Sequence, residues 1–430
     1  MNRMKAGSAT VDSRTAWIVA GASLVILTIA YGAPLLSAVA LRPIAAEFGT
    51  ERAAPAAAPA FTLIGAAFGG IAAGWLSGWL GVRRIVLFGA AMIAAGLVLS
   101  ASGGLIHLYV GHGLLMGLFG TSCIFSPVVT YVSRWFDRSR GAAVAMISSG
   151  QSLSGALWPI LFQTGITEFG WRRTMLVFGL FVGASILALA AIFLRPPPEA
   201  RPSPGGGGGD PQAGAPVFGL SPNLAMIVLM IAIFCCCVPM AMPSQHIVAF
   251  CGDLGFASQS GAAMLSVLLG SAFLARQFWG WLADRIGGLQ TLLWSSLAQA
   301  TALTGFLLTV DEAALFAVSA AFGLGFSGLL PAYVIVIRKF YPVEEANWRV
   351  PAVYFAGFLG MAAGGWGAGA LYDHFGYYLP AFAAGISFNI VNLVILLNWS
   401  FAKATTACAP RWLDSGRNDA RRSARRYRGR

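Results

Sequence analysis

The sequence predicts an all-α membrane protein of twelve transmembrane helices, arranged as two six-helix bundles related by pseudo-symmetry. Three observations predict it: an apolar, charge-poor composition; apolar runs that fall six and six about a Pro/Gly-rich stretch; and motifs recurring at one fixed offset. Hydrophobic residues make up 57% of the 430 residues, charged residues 10%, and mean hydropathy is +0.72. Soluble domains carry roughly 25% charged residues, so an ordinary soluble fold is excluded. A disordered chain is excluded too, because disorder needs low hydrophobicity. An outer-membrane barrel would alternate polar and apolar residues and would give no long apolar run.

The first six runs are Trp17–Leu41, Ala54–Ser77, Ile85–Ser102, Leu105–Val132, Gly141–Ile166 and Met175–Leu194. The second six are Leu224–Phe250, Ser260–Leu282, Leu289–Val310, Ala313–Ile337, Pro351–Leu371 and Tyr378–Trp399. Each is near the ~20 residues that a helix needs to cross hydrocarbon. The first run exceeds the ~7–15 apolar residues of a cleavable leader, so it is expected to remain as a span. Between the groups, residues 195–216 hold seven prolines and six glycines. Such a stretch cannot bury a core and reads as a flexible linker. The expected organisation is a six-helix bundle over 1–194, a linker over 195–220, a second bundle over 221–402 and a basic tail over 403–430.

The halves repeat. Gly74-Trp75-Leu76 follows the second span and Gly280-Trp281-Leu282 the eighth, 206 residues on. Phe169-Gly170-Trp171 precedes the sixth span and Phe375-Gly376-Tyr377 the twelfth, again 206 residues on. Parallel six-span repeats about an axis normal to the membrane are a transporter architecture, with the site between the halves.

Charge sets the orientation. With both termini and the linker on one side, that side holds 23 of the 28 Lys and Arg, and the opposite side holds four: Arg42, Arg52, Arg172 and Arg173. The positive-inside rule makes the richer side cytoplasmic. The net charge of +12 therefore reflects topology and not nucleic-acid binding. The Arg-rich 421–430 reads as a solvated tail; its sharper reading is contact with anionic lipid headgroups.

No catalytic constellation is visible. The histidines are His107, His112, His246 and His374, and neither a Ser-His-acid set nor an HExxH pattern occurs. The six cysteines contain no CxxC pair, and Cys235, Cys236 and Cys237 are adjacent within a span. Neighbouring helical residues point about 100° apart, so neither a metal nor a cofactor is indicated.

One charge stands inside the membrane. Arg276 lies eight residues before Asp284, or roughly 12 Å into a core ~30 Å thick. A charge there costs at least about 2.5–3.5 kcal/mol. Its repeat mate is Gly70 and one turn away stand Ala272 and Gly280, so neither architecture nor a local acid accounts for it. A planar carboxylate suits a guanidinium fork, and a substrate carboxylate is the expected partner. The alternative is a structural arginine bonded to carbonyls. His246, at the end of the seventh span, could donate to a substrate oxygen or carry a proton, or serve only as a bonded interfacial histidine. His112, among glycines, reads as a packing residue. Tyr31, Tyr333, Tyr354 and Phe358 could wall the site, with Tyr354 and Phe358 on one helical face. Gly280, Asp284, Arg285 and Gly287, with Arg83 and Arg84 in the first half, read as a latch that holds one face shut.

These residues resemble the major facilitator superfamily. Its G-x-x-x-D-R-x-G-x-R-R loop signature is nearly intact at Gly280–Gly287 and degenerate at Gly74–Arg84. Within it, Arg134-Trp135-Phe136-Asp137-Arg138-Ser139-Arg140-Gly141 is similar to the passage leading into the fifth span of monocarboxylate transporters and oxalate:formate antiporter relatives. The Arg276…Gly280…Asp284 spacing is similar to their eighth span, where the resemblance implies an arginine on the substrate carboxylate. Two departures stand out. The proton-relay aspartate of the animal transporters is Ala272 here, and the eleventh-span lysine of the antiporter is missing from 351–371. The missing lysine favours a monocarboxylate; the missing aspartate leaves His246 as the candidate proton carrier.

The expectation is a monomeric inner-membrane (plasma-membrane) carrier of a small organic anion, with both termini cytoplasmic. It would work by alternating access, with a proton as candidate companion. The alternative is a multidrug or other metabolite exporter of the same superfamily.

Overall fold

The computed structural model describes residues 12–136, 139–195, 217 and 220–408. Most of the expected linker, the tail beyond 408, and Asp137 and Arg138 lie outside the described residues.

The described chain forms twelve rods. In the first half they are α1 (Arg14–Val39), α2 (Ala53–Leu80), α3 (Val82–Ser102), α4 (Leu105–Ser133), α5 (140–169) and α6 (Trp171–Phe193). In the second they are α7 (Pro222–Asp253), α8 (Ser258–Ile286), α9 (Gly288–Leu308), α10 (Glu312–Phe340), α11 (Val343–Phe375) and α12 (Leu379–Cys408). A short helix, Leu41–Phe48, sits between α1 and α2. Ten rods are long and apolar enough to cross a membrane by length and composition; α5 and α11 fall short. Both deficient rods lie between the halves, where polar residues face protein and not lipid: α5 carries Ser148, Ser149, Gln151, Ser152 and Ser154.

Three rods are interrupted in the first half. α1 breaks at Tyr31, α4 passes through a π-helical stretch at Val110–Gly120, and α5 breaks at Ser149. Local breaks of this kind recur at functional positions.

The duplication is written into the backbone. Among the described residues six glycines adopt positive φ, and they form three pairs each 206 residues apart: Gly49 with Gly255, Gly81 with Gly287, and Gly170 with Gly376. Left-handed backbone of this kind favours glycine, and here each one turns the chain between rods. The helix crossings repeat as well. A Cβ on Gly117 of α4 would lie 2.6 Å from the Thr62 carbonyl of α2; a Cβ on Gly323 of α10 would lie 1.9 Å from the Leu268 carbonyl of α8. Small residues let membrane helices approach this closely.

The short turns put both ends of the described chain on one face, here the linker face, and residues 40–52, 170, 254–257 and 376–378 on the far face. The halves meet along two seams, α2 against α11 and α5 against α8. Toward the far face the first seam is tight: a Cβ on Gly369 would touch the Ala53 backbone at 3.1 Å. Toward the linker face it is loose. Gly70 and Gly78 of α2 and Gly280 of α8 have open space where a Cβ would stand, and Trp75 and Trp79 are exposed.

Candidate substrate site and gates

Arg276 sits on α8 at the second seam. Its Nη1 donates to the Ser148 carbonyl at the α5 break, 2.7 Å away. Ser148 ends the first segment of α5, and last-turn carbonyls lack an intrahelical donor. Arg276 Nε is buried with no partner. Of five guanidinium N–H donors, the described protein atoms engage one.

Tyr31 and Tyr354 lie within electrostatic reach of the guanidinium. Tyr31 marks the α1 break and packs edge-on against Phe125 at 5.9 Å. Tyr354 hangs from α11, its hydroxyl 3.5 Å from the Leu330 carbonyl, and Phe358 lies one turn further along, half-buried. So α1, α8 and α11, drawn from both halves, bring Tyr31, Arg276 and Tyr354 together.

The structure does not bring the other two named residues there. Tyr333 is fully buried inside the second half, and its hydroxyl donates to Asn392 Oδ1 at 3.1 Å. From there a ladder runs on. Asn392 donates to Ser296, Ser296 to Asn389, Asn389 to Gln299, and Gln299 to the Cys236 carbonyl, at 2.8, 3.1, 2.8 and 3.3 Å. It ties α7, α9, α10 and α12. His246 is also fully buried, with Nδ1 3.0 Å from the Tyr378 hydroxyl and Nε2 2.7 Å from the Gly365 carbonyl. His112 packs in α4, its Nδ1 near Ser100 Oγ and the Leu108 carbonyl at 3.0 and 3.1 Å.

At the linker face, Asp284, Arg285, Arg83 and Arg84 are exposed, and among the described residues no ion pair joins them to the opposite half. Arg285 instead lies over the Trp281 ring at 4.1 Å. Gly287 supplies the positive-φ turn after α8, and Gly280 has no neighbour. Among the described residues, these groups thus make no latch contact across the halves.

The far face is shut by residues that sequence reasoning did not single out. Arg52, at the start of α2, pairs with both oxygens of Asp253 on α7. Its Nη1 also donates to Tyr378 at 3.0 Å, and its guanidinium lies 3.7 Å over the Tyr372 ring. Asp373 of α11 accepts the backbone N–H of Arg52 and Ala53 at 2.8 and 2.7 Å, capping α2 from the other half. A carboxylate at a helix start gains from both the free N–H groups and the dipole. The signal was present in the repeat: Asp253 corresponds to Glu47, which pairs within its own half with Arg172, but the mate of Arg172 is Tyr378. Asp253 has lost its local cation and takes one from across the seam.

A membrane bundle of this repeat architecture defines a transporter class, and comparison with known proteins agrees. The Major Facilitator Superfamily model matches residues 17–311, and the chain belongs to that superfamily. It is a multi-pass membrane transporter and not an enzyme. It is 28% identical to monocarboxylate transporter 13 of Bos taurus over 328 residues, covering 74% of this chain and 73% of that protein. To monocarboxylate transporter 11 of Homo sapiens it is 28% identical, covering 64% and 57%. To the agnestins efflux protein AgnL12 of Paecilomyces divaricatus it is 30% identical, covering 49% and 47%. In fold it is similar to a bacterial homologue of the lysosomal transporter Spinster (TM-score 0.67, 13% identity, 92% and 98% covered). It is similar likewise to a POT family transporter solved with 5-aminolevulinic acid (TM-score 0.69, 12% identity, 88% and 94% covered).

Proposed function

We propose that the chain is a secondary transporter of a small organic anion, a monocarboxylate, which binds at Arg276 between Tyr31, Tyr354 and Phe358. The observation that carries this is the half-buried Arg276, whose buried Nε is unpartnered and which makes one bond, to Ser148, from a fork of five donors. A carboxylate would take the free edge of that fork. The monocarboxylate transporters among the relatives support the substrate class.

In this reading the two halves rock about Arg276. The Arg/Lys-rich linker face is cytoplasmic by the positive-inside rule, so both termini lie inside and the closed far face looks outward. The protein works as a monomer in the inner membrane, and a proton is its companion ion. Gly280, Asp284, Arg285, Gly287, Arg83 and Arg84 close the linker face in the opposite state. Tyr333 serves the second half as scaffold, and His246 belongs to the far-face closure.

A second reading, export of a larger metabolite, rests on the fungal efflux relative. Counterflow of labelled mono- and dicarboxylates in proteoliposomes, with and without a pH gradient, separates the two. Exchange of monocarboxylates alone is expected; silence toward every carboxylate overturns the proposal in favour of export.

A further inference from the structure

The far-face closure contains a directed hydrogen-bond chain. The Gly365 carbonyl can only accept, so His246 Nε2 must carry the hydrogen in their 2.7 Å contact. Tyr378 oxygen accepts from Arg52 Nη1 at 3.0 Å, which frees its own hydrogen for His246 Nδ1, also 3.0 Å away. The order is thus Arg52 to Tyr378 to His246 to Gly365. It holds only while His246 is neutral and Nδ1 is a bare acceptor.

A proton on Nδ1 would aim a second donor at the Tyr378 oxygen and strand the hydroxyl hydrogen. It would also set a cation beside the Arg52 guanidinium across one tyrosine. The groups facing this cluster are Arg52 from α2, Asp253 from α7, Tyr372 and Asp373 from α11, and Tyr378 before α12. Arg42 stands over Gly252. The acids are already committed: Asp253 to the Arg52 side chain and Asp373 to the α2 backbone. No acid in the cluster is left to compensate an imidazolium. Immediately outside lies a vestibule of about 460 Å³ lined by Arg42, Glu51, Arg52, Tyr372 and Asp373, from which water reaches the lock once Arg52 swings away.

We propose that Arg52 is the bolt of the far-face gate and that His246, through Tyr378, makes it proton-sensitive: uptake of a proton by His246 releases the bolt and opens that face. A proton bound more tightly by the open state must shift the population toward it. This rests on the transporter reading but not on the substrate class.

The test reads the gate directly. Spin labels at Glu168→Cys and Gln259→Cys, exposed far-face ends of α5 and α8, report its width by electron-electron distance measurement. The background carries Cys408→Ser; the five other cysteines are buried. In proteoliposomes without substrate, the wild-type ratio of short- to long-distance populations should fall about tenfold between about pH 7.5 and 5.5, the range over which histidine changes charge. His246→Gln should stay short at both pH values. Tyr378→Phe keeps the Arg52–Asp253 pair but cuts the relay, so it should be short at high pH and unresponsive. Arg52→Gln/Asp253→Asn removes the bolt without stranding a charge and should be long at both.

A wild type that does not respond to pH, a His246→Gln that responds as wild type does, a Tyr378→Phe that still responds, or a double variant that stays short would each overturn the proposal. Because no substrate is present, failure here is distinct from failure of the counterflow experiment.

Discussion

Arg276 and Ser148 join the two halves near mid-span: the guanidinium Nη1 of α8 donates 2.7 Å to a carbonyl at the α5 break. The contact is made by one edge of a fork whose Nε stays unpartnered. On the proposed reading, substrate binding and the seam between the halves draw on the same side chain. An anion that took the fork would also change how α8 is held to α5, which is the coupling that alternating access requires.

Arg276→Lys should fail almost as fully as Arg276→Ala. An ammonium keeps the charge but offers a point where the guanidinium offers a planar fork. Transport should drop by at least about tenfold, equivalent to ~1.4 kcal/mol, with the size-exclusion profile unchanged. Normal uptake by Arg276→Ala would remove this residue from the site.

Tyr354→Phe should act on affinity more than on turnover. The hydroxyl makes a long contact to Leu330 and is free to reorient toward a bound anion. Loss of one neutral hydrogen bond is worth about 0.5–1.5 kcal/mol, so an increase of a few-fold in KM is expected. A variant with wild-type KM would place Tyr354 outside the pocket.

Two glycines should respond in opposite ways. A Cβ at Gly364 would stand 2.1 Å from the Val238 carbonyl, whereas one at Gly280 meets nothing. Gly364→Val should lower thermal stability through overpacking, by about 1–3 kcal/mol. Gly280→Leu should melt as wild type does but transport poorly, because the linker face cannot close over it. Equal melting temperatures for the two variants would contradict this packing.

Asn392→Leu should destabilise the second half without touching Arg276. It strands the Tyr333 hydroxyl and the Ser296 acceptor, both fully buried. Each such group costs about 1–3 kcal/mol, visible as an earlier melting transition. Unchanged stability would mean that water replaces the asparagine.

The span pattern, the duplication and Arg276 were legible in the sequence because each leaves a one-dimensional mark: apolar runs, a fixed offset, a charge where none belongs. Tyr31 and Tyr354 were legible as aromatic polar residues in spans, and the fold brings both to Arg276. Tyr333 carries the same mark, yet its hydroxyl turns into the interior toward Asn392; direction about a helix is decided by neighbours that composition does not reveal. His246 was legible as a proton carrier but not as part of a closure. Its partners Tyr378 and Gly365 come from 132 and 119 residues away. Arg52 counted only as one of four far-face bases, and its role emerges when Asp253 is set against Glu47 and Tyr378 against Arg172.

The polar ladder from Tyr333 to the Cys236 carbonyl gives the two halves unequal stiffness. Four rods of the second half are stapled at their centre by bonds whose donors and acceptors run in sequence, which resists shear. The first half carries a break at Tyr31, another at Ser149 and a π-helical stretch between them, whereas among the described residues the second half is interrupted once, at Ser327–Gly328 of α10. Most of the places where a rod can bend thus fall in the first half, and the second half is the stiffer anvil against which it would flex.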